Sequence, residues 1–252
     1  LYFKFVTALN PIPKRIQGEH KQISKSGKIL LIDDQWENGW YDFYKSMLFS
    51  APVELNVLDI RKGQKKEQLI KNAEQEIIKI NPEVILLDLR LHDDDCKDKT
   101  QIADTTGIKL LHKIQKFNPG IRVIITTASS KAETYELTRN LSSGYIQKTL
   151  DRNVSQSISK LCKTIQTSLK NAEKLKTYHK YLEKIKNRIL TNDFTKPFIE
   201  LAKTNIDTTW ILIKDSLNEG NKSFTSFAYL QLFYFLEEFA KENSVYIIDS
   251  DN

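Results

Sequence analysis

Four short apolar runs between residues 29 and 147 each stop on a side chain capable of chemistry. Ile29-Leu30-Leu31-Ile32 ends on Asp33-Asp34, Val84-Ile85-Leu86-Leu87 on Asp88, Val123-Ile124-Ile125 on Thr126-Thr127, and Gly144-Tyr145-Ile146-Gln147 on Lys148. Runs this short and this apolar read as buried strands. Between them lie helical patterns: aromatic-rich 36–49, then 65–80 with Leu69, Ala73, Ile77 and Ile80 on one face, 107–117 and a stretch near 132–141. A further strand, 53–58, falls between the first two helices. Such alternation predicts a parallel sheet covered by helices on both faces. In sheets of this kind ligands and chemistry sit outside the carboxyl ends of the strands. Three carboxylates, a hydroxyl and an ammonium are therefore expected along one edge.

Composition narrows the class. The chain has 252 residues, enough to bury one large core or two modest ones. Its two cysteines, Cys96 and Cys162, have no metal-ligand spacing, which fits a reducing cytosol and gives no disulfide framework. No apolar run is long enough to span a bilayer. The chain opens on Leu1 rather than Met, which reads as a fragment or a processed chain. Residues 1–27 hold Pro11, Pro13 and Gly18 and are expected to be an irregular leader.

The strand signal stops after Asp151. Apolar positions from Ile158 to Ile189 then recur every three or four residues, predicting one long amphipathic helix or two in line. A second helix carries Ile199, Ala202, Ile206, Trp210 and Ile213 on one stripe, and a third, Phe224 to Phe239, is aromatic around much of its girth and expected to be largely buried. Ser244 to Ile248 reads as a short strand or tail. The expected organisation is thus a leader (1–27), an α/β domain (28–151) and an all-α bundle or hairpin (152–252). Residues 152–190 carry ten Lys or Arg against Glu173 and Glu183, a surface that could attract nucleic acid but more often is a solvated helix face.

Clustered Asp33, Asp34 and Asp88 repel one another and favour a hard divalent cation such as Mg²⁺. A carboxylate beside a metal is also a nucleophile toward phosphorus, giving an aspartyl phosphate. Lysine and threonine at neighbouring strand tips are the groups that would hold phosphoryl oxygens. In these residues and their order, 28–151 resembles the response-regulator receiver (CheY-like) family, whose fold is a flavodoxin-like, doubly wound, five-stranded parallel sheet. The resemblance implies that Asp88 is the phosphoacceptor and that Asp33, Asp34, Asp88 and the backbone carbonyl of Arg90 bind Mg²⁺. It further implies that Thr127 and Lys148 contact the phosphoryl group and that Tyr145 is a switch aromatic. A sensor histidine kinase or phosphotransfer protein would be the partner in a two-component system, and the protein a cytoplasmic phosphoacceptor rather than a turnover enzyme. The helical region would form its output or a homodimer.

The sequence departs from that pattern in three places. The segment from Leu89 to Thr106 is roughly ten residues longer than usual and contains His92-Asp93-Asp94-Asp95, and loops of that length are commonly functional. Thr149, not Pro, follows Lys148, and Arg90 replaces a small or polar residue. Two other readings stay open. One is a receiver-shaped interaction module that works without phosphorylation. The other is nucleic-acid binding by the basic helices, although no helix-turn-helix is visible.

Overall fold

The computed structural model describes residues 23–61, 63–97, 100–117, 120–128, 135–136, 138, 141–148, 154–219 and 222–249. Contacts divide the chain into two units, Leu1–Glu173 and Lys174–Asn252.

The first unit contains β1 (Gly27–Ile32), α1 (Trp40–Met47), β2 (Val53–Val57), α2 (Lys66–Ile80), β3 (Val84–Leu87), α3 (Thr106–Phe117), β4 (Arg122–Thr127) and β5 (Gly144–Gln147). It also takes in the first part of α4 (Val154–Thr191). The strands form one sheet in the order β2-β1-β3-β4-β5, and every pair is parallel. This is the flavodoxin-like doubly wound order, as the sequence predicts. Alternate residues supply the two faces. Leu30, Ile32, Ile85, Leu87, Val123 and Ile125 pack with Leu69, Ala73 and Ile77 of α2 and Leu111 and Ile114 of α3. On the other face, Ile29, Leu31, Val84, Leu86 and Ile124 pack with Tyr44 and Met47 of α1 and with Ile158, Leu161, Ile165 and Leu169 of α4. Each fully buried aliphatic side chain contributes about 1.5–3 kcal/mol, so this second face needs α4 to cover it.

That packing corrects the expected boundary. The opening part of α4 belongs to the sheet's own layer, and the units divide at 173/174 rather than 151/152. The leader also ends earlier than expected. Gly27 is the first residue of β1, and Ile23 is buried against the α4 face. Nearby, the Ser24 backbone N–H donates to the Gln166 side chain at 3.0 Å. The aromatic stretch 36–49 is not one helix. Gly39 takes φ 111°, a left-handed conformation that glycine adopts without strain, and separates a 3₁₀ turn (Trp36–Asn38) from α1. Of the helix expected near 132–141, Tyr135, Glu136 and Thr138 are helical, while most of it lies outside the described residues, as do Thr149 and Arg152.

In the second unit, α5 (Lys196–Glu219) and α6 (Lys222–Asp249) join the end of α4. Leu182, Ile189, Phe198, Ala202, Ile206 and Phe235 form its core, with Phe194, Trp210 and Ile213 packed around them. His179 meets Trp210 edge-on, ring centroids 5.1 Å apart, which places it in the packing of this unit. Two expectations are corrected here. Residues 244–248 continue α6 instead of forming a strand, since a helix satisfies its backbone internally whereas a strand requires a neighbour. Nor is α6 largely buried: Ala228 and Phe235 face the core while Phe227, Tyr229, Leu230, Phe233, Tyr234 and Leu236 are exposed.

Candidate functional site

Strand register builds the site. Ile32 pairs with Leu87, so the next residues, Asp33 and Asp88, leave the sheet side by side from its two central strands. The Asp88 N–H donates to the Ile32 carbonyl at 2.9 Å and keeps them together one residue beyond the ladder. Asp33, Asp34 and Asp88 each offer a carboxylate oxygen within 4.8 Å of the others. On the far side, Thr127 pairs with Gln147, and the Lys148 N–H then donates to the Thr127 carbonyl at 2.8 Å. Lys148 thereby reaches across β4: its Nζ donates to Asp33 Oδ2 at 2.6 Å and to Asp88 Oδ2 at 2.5 Å.

Four of the residues singled out from sequence thus converge at one point. Thr127 and Tyr145 occupy the adjoining ends of β4 and β5. Thr127 is buried on the side of the sheet shared with Ile125, whereas Thr126 faces the α1 side with Ile124. Tyr145 is half-buried and meets Tyr135 edge-on at 5.9 Å. Burial raises its pKa and the nearby Asp88 charge adds to the effect. Arg90 is exposed, and its backbone N–H donates to Asp88 Oδ1 at 3.3 Å, beside a shorter bond from the Leu89 N–H at 2.6 Å. The Asp88 carboxylate is therefore fixed through both oxygens, one on backbone amides and one on the ammonium.

Electrostatics here are those of a site short of positive charge. Asp33 is fully buried, and burial raises its pKa despite the opposing Lys148 charge and the Gln35 N–H bonded at 2.9 Å. Burial likewise raises Asp34, against a side-chain bond from Gln35. For Lys148 burial alone would lower the pKa, but the Asp88 and Asp33 carboxylates override it and hold the amine charged. Two carboxylates resisting ionisation around a single ammonium suit an added cation. Three oxygen donors so close together fit a hard divalent ion such as Mg²⁺.

Two features were not legible beforehand. The Lys148 Nζ lies 4.9 Å from the centre of the Trp40 ring, a cation–π contact that closes off the amine from the α1 side. The second lies in the inserted segment, whose described residues are organised around Asp95. Asp95 is buried and accepts from the backbone N–H groups of Leu91, His92 and Thr106 at 3.1–3.2 Å, and from the Thr106 hydroxyl at 3.1 Å. Lys66 donates to it at 2.7 Å. His92 adds a bond to the Gln64 carbonyl at 2.9 Å and accepts one from the Asp94 N–H. Leu91 and Ile102 enter the core on either side. The segment so held borders a cleft of about 130 Å³ lined by Asp34, Arg61, Gln64, His92 and Asp93. At the entry to α3, a Cβ on Gly107 would stand 2.4 Å from the Asp88 carbonyl and 2.5 Å from Leu89 Cα, so only glycine allows this approach.

No family model matches the chain, and no curated protein does. Solved structures do. A CheY-like response regulator receiver domain protein from Methanospirillum hungatei JF-1 is 21% identical, covering 60% of this chain and 98% of that one, with a TM-score of 0.40. The receiver domain of a modulated diguanylate cyclase from Desulfovibrio desulfuricans G20 is 15% identical over 58% of this chain and 96% of that one, TM-score 0.39. The Mn(2+)-bound form of response regulator Rcp1 is 19% identical over 56% and 92%, TM-score 0.39. All three of these neighbours are receiver domains or response regulators. Each covers between 56% and 60% of this chain.

Proposed function

We propose that this chain is a two-component response regulator whose Asp88 accepts a phosphoryl group from a sensor histidine kinase or phosphotransfer protein. One observation carries the reading: Asp33, Asp34 and Asp88 gathered within 4.8 Å with Lys148 bonded to two of them, at the carboxyl edge of a parallel sheet. Asp33, Asp34 and Asp88, with the backbone carbonyl of Arg90, would hold Mg²⁺, which when bound neutralises charge on the phosphoryl oxygens.

The chain's own groups do the rest. An Asp88 carboxylate oxygen attacks phosphorus, the bond from phosphorus to the donor's nitrogen breaks, and that electron pair returns to the donor's imidazole. The Leu89 and Arg90 amides orient the carboxylate through Oδ1. Lys148 stays paired with the new phosphoryl oxygens, and the Thr127 hydroxyl donates to another. The added charge biases the surface around Tyr145 and β5, which leads in sequence into α4 and the helical region, the expected output in a cytoplasmic protein. Phosphoryl transfer here is a single event per molecule and not turnover.

Intact-mass measurement after incubation with a small phosphodonor and Mg²⁺ tests this. Wild type should gain one phosphoryl group, and Asp88→Asn or omission of the metal should abolish the gain. Equal uptake by wild type and Asp88→Asn would exclude Asp88 as acceptor. No uptake by either would favour the phosphorylation-independent interaction module.

A further inference from the structure

Helix α6 presents an outer face that the second unit does not cover. Phe227, Tyr229, Leu230, Phe233, Tyr234 and Leu236 are each between 53% and 70% exposed. At 3.6 residues per turn they share one side with Ser226, opposite the buried Ala228 and Phe235. From Ser223 to Leu236 no residue is charged. With side chains of this size burying roughly 150–250 Å² each, the exposed part comes to on the order of 600–700 Å². Monomeric proteins seldom leave a contiguous apolar face so large, and a stable interface takes about 800 Å² from each partner.

We infer that this face is a self-association surface, on which α6 of a second copy packs antiparallel across the segment Ser226–Phe233. The area lies at the lower end of what one half of a standard dimer buries. Shape is self-complementary as well. Around a two-fold axis near residues 229–230, the small Ser226 of each copy falls opposite the bulky Phe233 of the other, so each side supplies a knob where its partner has a gap. An uncharged face can meet itself without like-charge repulsion, and it offers no handle to an acidic or basic partner. A membrane surface is a poor match, because helices that lie in the lipid interface carry Lys and Arg along the polar flank, and the segment 223–236 has neither. The inference does not depend on the chemistry of Asp88.

Sedimentation of the full chain at micromolar concentration tests it. The expected species is a dimer. Phe233→Glu should weaken association at least about 30-fold, the effect of losing one central aromatic anchor. Ile211→Glu, at an exposed position on α5, should leave it unchanged. Register is read by oxidative cross-linking in a Cys96→Ser background, which removes the exposed native thiol. Tyr229→Cys should link two chains. Leu236→Cys should not, because an antiparallel pair separates the two copies of that position by roughly 20 Å at 1.5 Å per residue. A wild-type monomer, a dimer indifferent to Phe233→Glu, or linking at both positions as in a parallel pair would each overturn the proposal. So would a monomer that floats with lipid vesicles.

Discussion

Asp95 offers the sharpest test of how the inserted segment is held. Replacing it with Asn keeps the volume but removes the charge, and turns one acceptor oxygen into a donor NH₂. In the native structure the carboxylate accepts from three backbone amides and the Thr106 hydroxyl, and it pairs with Lys66. Its side chain is fully buried and that of Lys66 is 21% exposed, so solvent screens the pair only in part. An amide in this place satisfies one oxygen's partners and directs its own hydrogens at donors, leaving a half-buried ammonium and at least one N–H without an acceptor. Orphaning buried groups costs about 1–3 kcal/mol each, and breaking a buried pair from one side about 3–5 kcal/mol. With the partial exposure of Lys66 taken into account, the expected loss is about 3 kcal/mol. Hydrogen exchange of peptides covering 89–106 reports it locally, without assuming that both units unfold together. Protection of Leu91, His92 and Thr106 should fall roughly 100-fold, since each 1.4 kcal/mol is a factor of ten. Lys66→Met in the Asp95→Asn background should add little, because the interaction it removes is already broken. Unchanged protection in Asp95→Asn would refute the claim that this carboxylate organises the segment.

Three further outcomes follow from the site. Lys148→Met leaves Asp33 and Asp88 facing each other without their ammonium and should cost about 3 kcal/mol by thermal unfolding, with Mg²⁺ restoring more stability to this variant than to wild type. Asp33 and Asp34 have folded pKa values raised above the ordinary 3.8, so the unfolded chain gives up these protons first and stability from this source is lost as pH rises from about 3.8 through the raised values. Asp34→Asn should therefore flatten that part of the profile and raise Tm at neutral pH while weakening Mg²⁺ binding, measured by scanning at a series of pH values. Gly107→Ala forces a Cβ into the Asp88–Leu89 backbone and should destabilise by about 1–3 kcal/mol, with phosphoryl uptake slowed in the intact-mass assay.

How much of this could be read from the sequence depends on whether the deciding contact is local. Asp33, Asp34, Asp88, Thr127 and Lys148 were legible because each ends an apolar run, and parallel register then brings run ends together. Asp95 was not. Three consecutive aspartates carry no phase, and the inward one is selected by Lys66, 29 positions away, and Thr106, 11 positions on. Trp40 was equally hidden, since a tryptophan at a helix start gives no sign that a lysine will lie over its ring. The apolar spacing of α4 is uniform from Ile158 to Ile189, and nothing in it marks where the partner changes from a sheet to other helices. For α6 an all-round aromatic pattern reads as burial within the chain, yet much of it is exposed. Periodicity reports that a face is apolar; it does not say which surface covers it.

Charge counting links the strand-end residues to a response. Three carboxylates against one ammonium leave the site with two net negative charges when all are ionised, and the raised pKa values of Asp33 and Asp34 are the protein's resistance to that state. A divalent cation brings the sum to zero. Under the proposed function, phosphorylation of Asp88 would then replace one carboxylate charge with a phosphoryl group bearing about −1.5 to −2, so the balance would turn negative again at the moment of transfer. The excess must be met by groups that can move. Lys148 is already pinned by Asp33, Asp88 and the Trp40 ring. The Thr127 hydroxyl stands at the neighbouring strand end, and a shift there would act on β4 and β5, the strands from which the chain runs on into α4. Under the proposed function, fixing the ammonium in advance is what would make the threonine side of the site, rather than the lysine, respond to phosphorylation.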